Sequence, residues 1–253
     1  MRKTHRADAP DTVWHVGSRV NWRAFHLESE GAFRVFVECF ARSLARFGMD
    51  LLAFVLMSNH YHAVVRSPAG MEYRRLTGRR TRCRHYRPYP PWHEKSTVVG
   101  QCLQHFKLAV ARRMQEKLGL CGHFWEGKHF RKRVDSAGVL VVKMAYDHRN
   151  PVREGMVARP EDFARSSAAW WSSGEESPLP LCRREDLPFG FTHESLRAGV
   201  LRYQGERRLD DVMEAFAKSG FDLETVDGRL ELERRMAAAG LEVPNMVCSG
   251  QVA

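Results

Sequence analysis

The stretch Val55-Leu56-Met57-Ser58-Asn59-His60-Tyr61-His62-Ala63-Val64-Val65 decides the fold. On either side of Ser58-Asn59 lie two short runs rich in β-formers, 50–57 and 60–66, spaced as a closely joined strand pair. Upstream, Phe33, Val37, Phe40, Leu44 and Phe47 recur at helical spacing, which predicts an amphipathic helix over 31–47 with Gly48 as its C-cap. Residues 12–20 alternate weakly and read as a strand ending at Asn21. The chain therefore opens β-α-β-β, an α+β pattern.

Downstream, the run 67–95 holds Pro68, Pro88, Pro90, Pro91 and seven arginines, the texture of an insertion or loop. Val99, Leu103, Phe106, Val110, Met114 and Leu118 predict a helix over 97–118. Residues 123–133 read as a strand with a basic end. Asp135 or Ser136 would then cap a helix over 137–149, stopped by Pro151 because the residue before proline disfavours helical angles. After 160 the texture turns Ser/Pro-rich around Trp170-Trp171, and two or three short charged helices follow, among them Glu206 to Lys218 and Leu230 to Ala239. This predicts one domain over 1–175 and a helical extension over 176–253, with no internal repeat.

Composition narrows the function classes. The chain has 253 residues, 43% of them hydrophobic, enough to bury a substantial core and too many for a mostly disordered protein. No apolar run approaches the roughly 20 residues that span a bilayer, and no apolar stretch follows the first residues, so a soluble cytoplasmic protein is expected. The six cysteines form no C-x-x-C pair, which argues against a zinc knuckle or a disulfide framework. The net charge of +10 is uneven. Residues 1–150 carry 27 basic and 12 acidic side chains, whereas 151–253 carry 13 and 18. A polyanionic partner for the first part fits this asymmetry, although arginine-rich composition can also reflect a GC-rich genome.

Two clusters carry chemistry. In a strand, His60 and His62 project from one face while Tyr61 faces away, so the two imidazoles can chelate one divalent ion. In isolation they could equally be polar residues at a strand start. Tyr146 and Asn150 stand one helical turn apart on one face, suited to a nucleophile beside an amide oxygen that ligates a metal. Alone, that pair could be a half-buried aromatic with a C-capping asparagine.

The flanking residues add a resemblance. Met57-Ser58-Asn59-His60-Tyr61-His62 resembles the hallmark strand of the HUH single-tyrosine transposases, two histidines around one bulky residue after a Met-x-Asn lead-in. Tyr146-Asp147-His148-Arg149-Asn150-Pro151-Val152-Arg153-Glu154-Gly155-Met156-Val157 resembles the second signature of that family, a tyrosine five residues before the proline of an N-P-V-R-x-G-x-V word. His15-Val16-x-x-Arg19 and Phe124-Trp125-Glu126 fall in order as lesser matches. The subgroup most resembled is the REP-associated tyrosine transposases, over about residues 12–170. Where that family has an aromatic before a serine pair, this chain has Arg165-Ser166-Ser167. The 67–95 stretch is longer than the usual connection, and the part after about 175 has no recognised counterpart.

The resemblance implies a ferredoxin-like, HUH-type antiparallel sheet with helices packed on it, plus the C-terminal helical extension. It implies a transposase acting on single-stranded or hairpin DNA of the REP-like kind, with Tyr146 as nucleophile and a 5′-phosphotyrosine intermediate. His60, His62 and Asn150 would hold Mg²⁺ or Mn²⁺, although two imidazoles also suit Zn²⁺. An ordinary tyrosine, with a pKa of about 10, is mostly protonated at neutral pH, and Lys143 on the same helix face is a candidate cation to favour the tyrosinate. Arg19, Arg79, Arg80, Arg82, Lys107, Arg131, Lys132 and Arg133 are candidate DNA contacts, and Tyr86, Tyr89 and Trp92 could stack unpaired bases. Such a protein would work at the nucleoid, as a monomer or a homodimer. Two other readings share these residues: a catalytically silent hairpin DNA- or RNA-binding regulator, and a nickase of the replication-initiator or relaxase type.

Overall fold

A computed structural model describes residues 10–70, 97–183, 185 and 187–243. Strand β1 (Val13–Arg19) is followed by helix α1 (Glu30–Phe47), strands β2 (Asp50–Leu56) and β3 (His60–Arg66), helix α2 (Val98–Leu118), strand β4 (Phe130–Val134) and helix α3 (Ala137–Arg153). Four further helices follow among the described residues: α4 (Ala168–Ser173), α5 (His193–Gln204), α6 (Arg207–Lys218) and α7 (Val226–Ala238). The strands form one antiparallel sheet in the order β2-β3-β1-β4, so the chain is an α+β protein, as expected. The expected contacts and stacking aromatics at Arg79, Arg80, Arg82, Tyr86, Tyr89 and Trp92 lie outside the described residues.

The helix boundaries follow from their caps. Ser29 Oγ accepts from Ala32 N–H at the start of α1, and Gly48 closes that helix in the left-handed region at φ 59°. A left-handed residue is cheap only for glycine, so this position holds one. The buried stripe of α1 is Ala32, Val35, Phe36, Cys39, Phe40, Ser43 and Leu44, while Phe33, Val37 and Phe47 are only partly covered. The helix is thus rotated from the face that its phenylalanine spacing predicts. Thr97 and Ser136 cap α2 and α3 in the same way.

Two expectations need correction. The strand over 123–133 is broken. Trp125 bridges Val20 beyond the end of β1, Gly127 then turns with φ 60°, and regular pairing resumes only at Phe130. Helix α3 does not stop before Pro151 but runs to Arg153. Proline lacks the N–H that would reach the carbonyl of Asp147, and Asn150 Nδ2 donates to that carbonyl instead at 3.1 Å.

The sheet separates two apolar clusters. One face packs Tyr61, Ala63 and Val65 of β3 with Trp14 and Val16 of β1 against α1 and α2. The other packs Val13, Leu52, Ala53 and Val64 against α3, and α5, α6 and α7 join that second cluster. Arg149 of α3 is buried there. Its Nε and Nη2 donate to Asp210 of α6 at 3.0 and 2.6 Å, and its Nη1 donates to the carbonyl of Gln204 at 3.0 Å. The Arg165-Ser166-Ser167 segment lies along the outer edge of β2: Ser167 N–H donates to Phe54 O, and Phe54 N–H donates to Ser167 Oγ. An edge that could pair with another chain is thereby covered.

Candidate functional site

The site forms where α3 crosses the face of the sheet that carries the histidines. His15 and Gly17 of β1 lie opposite Val64 and His62 of β3, and Arg19 lies opposite His60. Alternation turns His15, His60 and His62 to one side. The rings of His15 and His62 stack at 5.4 Å, and His60 meets His62 edge-on at 5.2 Å. Gly17 makes room for this group. A Cβ there would run into the Phe130 ring, and that ring packs on both His15 and His62.

From α3, Asp147 enters the group fully buried. His15 Nε2 lies 3.2 Å from its Oδ1 and 3.0 Å from its Oδ2, and His62 Nδ1 lies 3.9 Å from Oδ1. His15, His62 and Asp147 thus form a cluster that could hold a metal ion. Burial raises the carboxyl's pKa, but the charge and hydrogen bond of His15, with His62 and Lys143, outweigh it and bring Asp147 down to about 2. Burial, reinforced by Arg19 and Arg153 against the pull of Asp147, lowers His60 to about 4. Burial likewise lowers His62 to about 3. At neutral pH the carboxylate is therefore ionised and these two imidazoles are neutral, the forms that bind metal.

The donor set fits a divalent cation on a second count. Buried polar groups normally have partners. His62 Nδ1 is buried without a hydrogen bond among the described residues, and both oxygens of Asp147 share the single His15 Nε2. His60 is pre-set differently. Asn59 Nδ2 donates to the carbonyl of Arg23, which leaves Asn59 Oδ1 to accept from His60 Nδ1 at 2.7 Å. With its proton on Nδ1, His60 keeps an Nε2 lone pair for a ligand.

Tyr146, next to Asp147, is half-buried. Arg153 lies over its ring at 4.7 Å and Lys143 at 5.8 Å. Burial holds the phenol above its ordinary pKa, Asp147 and Asp210 add to that, and Arg153 opposes it by charge and hydrogen bond. Lys143 is half-buried, with its own pKa lowered chiefly by desolvation and raised in part by the charge of Asp147. Asn150 is committed to its helix: Nδ2 donates to the carbonyls of Tyr146 and Asp147, and Oδ1 accepts from Arg153.

The other expected DNA contacts are placed unequally. Arg19 is exposed beside His60. Lys107 is turned inward, donating to the carbonyl of Gly127 at 2.9 Å and covering the Trp125 ring, so it is not presented to a polyanion. Arg131 bonds Thr97 and covers Trp14, Lys132 lies 3.5 Å from Asp222, and Arg133 pairs with Asp135. Sequence reasoning did not single out Asp147 or Arg153 for the candidate site and gave His15 no role. The available signals were an acid directly after the tyrosine, an arginine seven residues on, and a histidine two residues before a strand glycine.

No protein-family profile matches the chain, and no curated protein matches it in sequence. Among solved structures it is similar to a REP-associated tyrosine transposase bound to a REP hairpin. The two are 14% identical with a TM-score of 0.49, over 74% of this chain and 96% of the other. It is also similar to a candidate transposase from Deinococcus radiodurans R1, again 14% identical, with a TM-score of 0.34 over 62% of this chain and 98% of that one.

Proposed function

We propose that the chain is a metal-dependent strand transferase that cleaves and rejoins single-stranded DNA through a covalent bond to Tyr146, at hairpins of the kind its structural relative binds. One observation carries this reading. The residue directly after the tyrosine, Asp147, lies 3.9 Å from Nδ1 of His62, so the helix with the nucleophile and the strand with the imidazoles meet at one point. Elements this far apart in sequence have no reason to bring a phenol, neutral imidazoles and a buried carboxylate together for packing alone.

In this scheme His15, His62 and Asp147, with His60 beside them, would hold a divalent cation. Mn²⁺ suits so imidazole-rich a set better than Mg²⁺, which prefers oxygen ligands. When bound, the cation polarises the scissile phosphate. Asn150, expected from the sequence as a ligand, contributes by fixing the end of α3 unless its contact with Arg153 opens. Tyr146 Oη attacks phosphorus, the bond from phosphorus to the 3′ oxygen breaks, and that oxygen takes up a proton as the phenol loses its own. The products are a free 3′-OH and a 5′-phosphotyrosine, and the reverse attack rejoins the strand without ATP. Arg153 is placed to favour the tyrosinate, with Lys143 as the second nearby cation. The bonds from buried Arg149 to Asp210 and to the carbonyl of Gln204 hold α3 against α5 and α6, which gives those two helices a part in positioning the nucleophile.

The test is a single-stranded hairpin oligonucleotide labelled on its 3′ side and incubated with Mn²⁺. A covalent protein–DNA adduct is expected, lost in Tyr146→Phe and lost on chelation. Retained binding with no adduct from any hairpin would replace this reading with that of a silent DNA-binding regulator.

A further inference from the structure

The loop leaving β1 reads Val20-Asn21-Trp22-Arg23-Ala24-Phe25 and places its aromatics in solvent. Trp22 is 90% exposed and Phe25 65%. Single exposed apolar residues are ordinary, but this one is held there by unusual backbone. Trp22 (φ 57°, ψ 16°) and Arg23 (φ 55°) both sit in the left-handed region, costly for residues with a Cβ and kept only where the surroundings dictate it. The surroundings do. Asn21 Oδ1 accepts from Trp22 N–H at 3.1 Å, and Asn21 N–H donates to Phe124 O at 2.8 Å. Val20 N–H and Leu27 N–H donate to the carbonyls of Asn59 and Ser58, in the turn between β2 and β3.

The same turn sets His60. Asn59 donates from Nδ2 to Arg23 O at 3.1 Å and accepts at Oδ1 from His60 Nδ1 at 2.7 Å. One asparagine therefore ties the strained loop to an imidazole of the candidate metal site. A cleft of about 230 Å³ opens beside the indole, lined also by His26 and Phe124, whose rings lie 6.1 Å apart. Arg23 and Arg19 are exposed on either side of Trp22 in the sequence. An exposed ring with guanidinium neighbours fits a strand of unpaired nucleotides: bases stack on the ring and phosphates meet the cations. The strongly basic first 150 residues favour this occupant over an apolar protein surface.

We propose that Trp22 is a stacking platform for one unpaired base of the nucleic-acid strand that approaches His60, with Arg23 and Arg19 meeting the flanking phosphates. The proposal deepens the strand-transferase reading and rests on it only for the direction in which the strand runs. The experiment measures binding of a labelled single-stranded oligonucleotide to the full chain in chelator, so that no turnover intervenes. Trp22→Ala is expected to weaken binding about 10- to 100-fold, the range of one lost stacking contact, and Trp22→Phe to restore most of it. Affinity for a blunt duplex of the same length should not change. An abasic site moved along the oligonucleotide should weaken wild-type binding at one position, and that penalty should vanish in Trp22→Ala.

Wild-type affinity in Trp22→Ala would overturn the proposal, as would an equal loss for single strand and duplex. So would a changed oligomeric state on size exclusion, which would make the occupant of the indole a second copy of the chain. Unchanged thermal melting of the variant excludes misfolding as the cause. If the stacking signature appears and no adduct forms on Tyr146, the platform stands and the catalytic reading falls. If an adduct forms without the signature, the catalytic reading stands and the platform falls.

Discussion

Tyr61 and His62 are neighbours on β3, yet they face opposite sides of one sheet and meet two different environments. Around Tyr61 the rings of Phe36, Phe40, Phe106 and Trp125 pack at 5.4, 6.1, 5.4 and 5.8 Å between centroids, with α1 and α2 closing over them. Around His62 lie His15, His60, Phe130 and the carboxylate of Asp147. The aromatic side is a dense apolar cluster of the kind that stabilises a fold. The histidine side gathers polar groups out of water, His62 Nδ1 among them without a hydrogen bond among the described residues, which weakens a fold unless something else uses it. At this point one side of β3 adds only apolar packing, whereas on the other the histidine group sits beside the second apolar cluster and gives up part of the stability that cluster supplies.

The largest expected effect attacks the aromatic side. Phe106 is fully buried among Phe36, Phe40, Tyr61 and Trp125. Phe106→Ala should cost about 3–5 kcal/mol in denaturant unfolding, the usual range for a phenylalanine lost from a tight core. Mn²⁺ affinity of the folded protein, measured by calorimetry, should stay within about twofold. A large loss of metal affinity would show that the two faces are not independent.

Acid should act first on the other side. His60 and His148 titrate near pH 4 in the folded chain and His62 near 3, all pulled down from 6.5 chiefly by burial. Below pH 6.5 the unfolded chain binds protons at these positions and the folded chain does not, so stability falls as pH falls, and each group's loss is complete at its folded pKa. Each contributes up to about 1.4 kcal/mol per pH unit within that window. Asp147 has the opposite sign of charge but works in the same direction. Lowered from 3.8 to about 2, it contributes stability above 3.8 that disappears between those values. His148, bonded to Gln204 and Ser167, offers the clean test. His148→Gln should flatten the decline between pH 6.5 and 4 by about one group's share, and an unchanged slope would remove that histidine from the account.

Much of the aromatic side is legible in the sequence, because it is written in local periodicity. The β-rich run 60–66 and the spacing of Val99, Leu103, Phe106, Val110 and Met114 locate β3 and α2 almost to the residue. The chemistry of the histidine side is written in contacts between distant residues. His15 and Asp147 are 132 positions apart, and no local pattern links them. Arg149 and Asp210 are separated by 61, so the docking of the C-terminal helices on α3 was equally hidden. Pro151 misled for a different reason: a side chain, Asn150, replaced the missing backbone donor. That His60 and His62 share one face was legible because both lie on one strand, and that Tyr146 and Asn150 lie on one helix was legible from their spacing.

The smallest expected effect separates the two kinds of orphaned polar atom. The Tyr61 hydroxyl is fully buried and finds no partner among the described residues, and burial pushes its pKa upward. A buried hydroxyl without a partner carries a desolvation cost that deletion relieves. Tyr61→Phe, which keeps the ring and its four aromatic contacts, should therefore leave stability unchanged or raise it by up to about 1 kcal/mol. The upward shift in thermal midpoint on adding Mn²⁺ should be the same as in the wild type, because that hydroxyl points away from the imidazoles. The orphaned Nδ1 of His62 is a different case: the cation that we assign to it is the reason the position stays polar. A loss above about 1 kcal/mol in Tyr61→Phe would mean that the hydroxyl has a partner in the folded chain. The aromatic side would then be doing polar work too, and the contrast between the faces would weaken to a matter of degree.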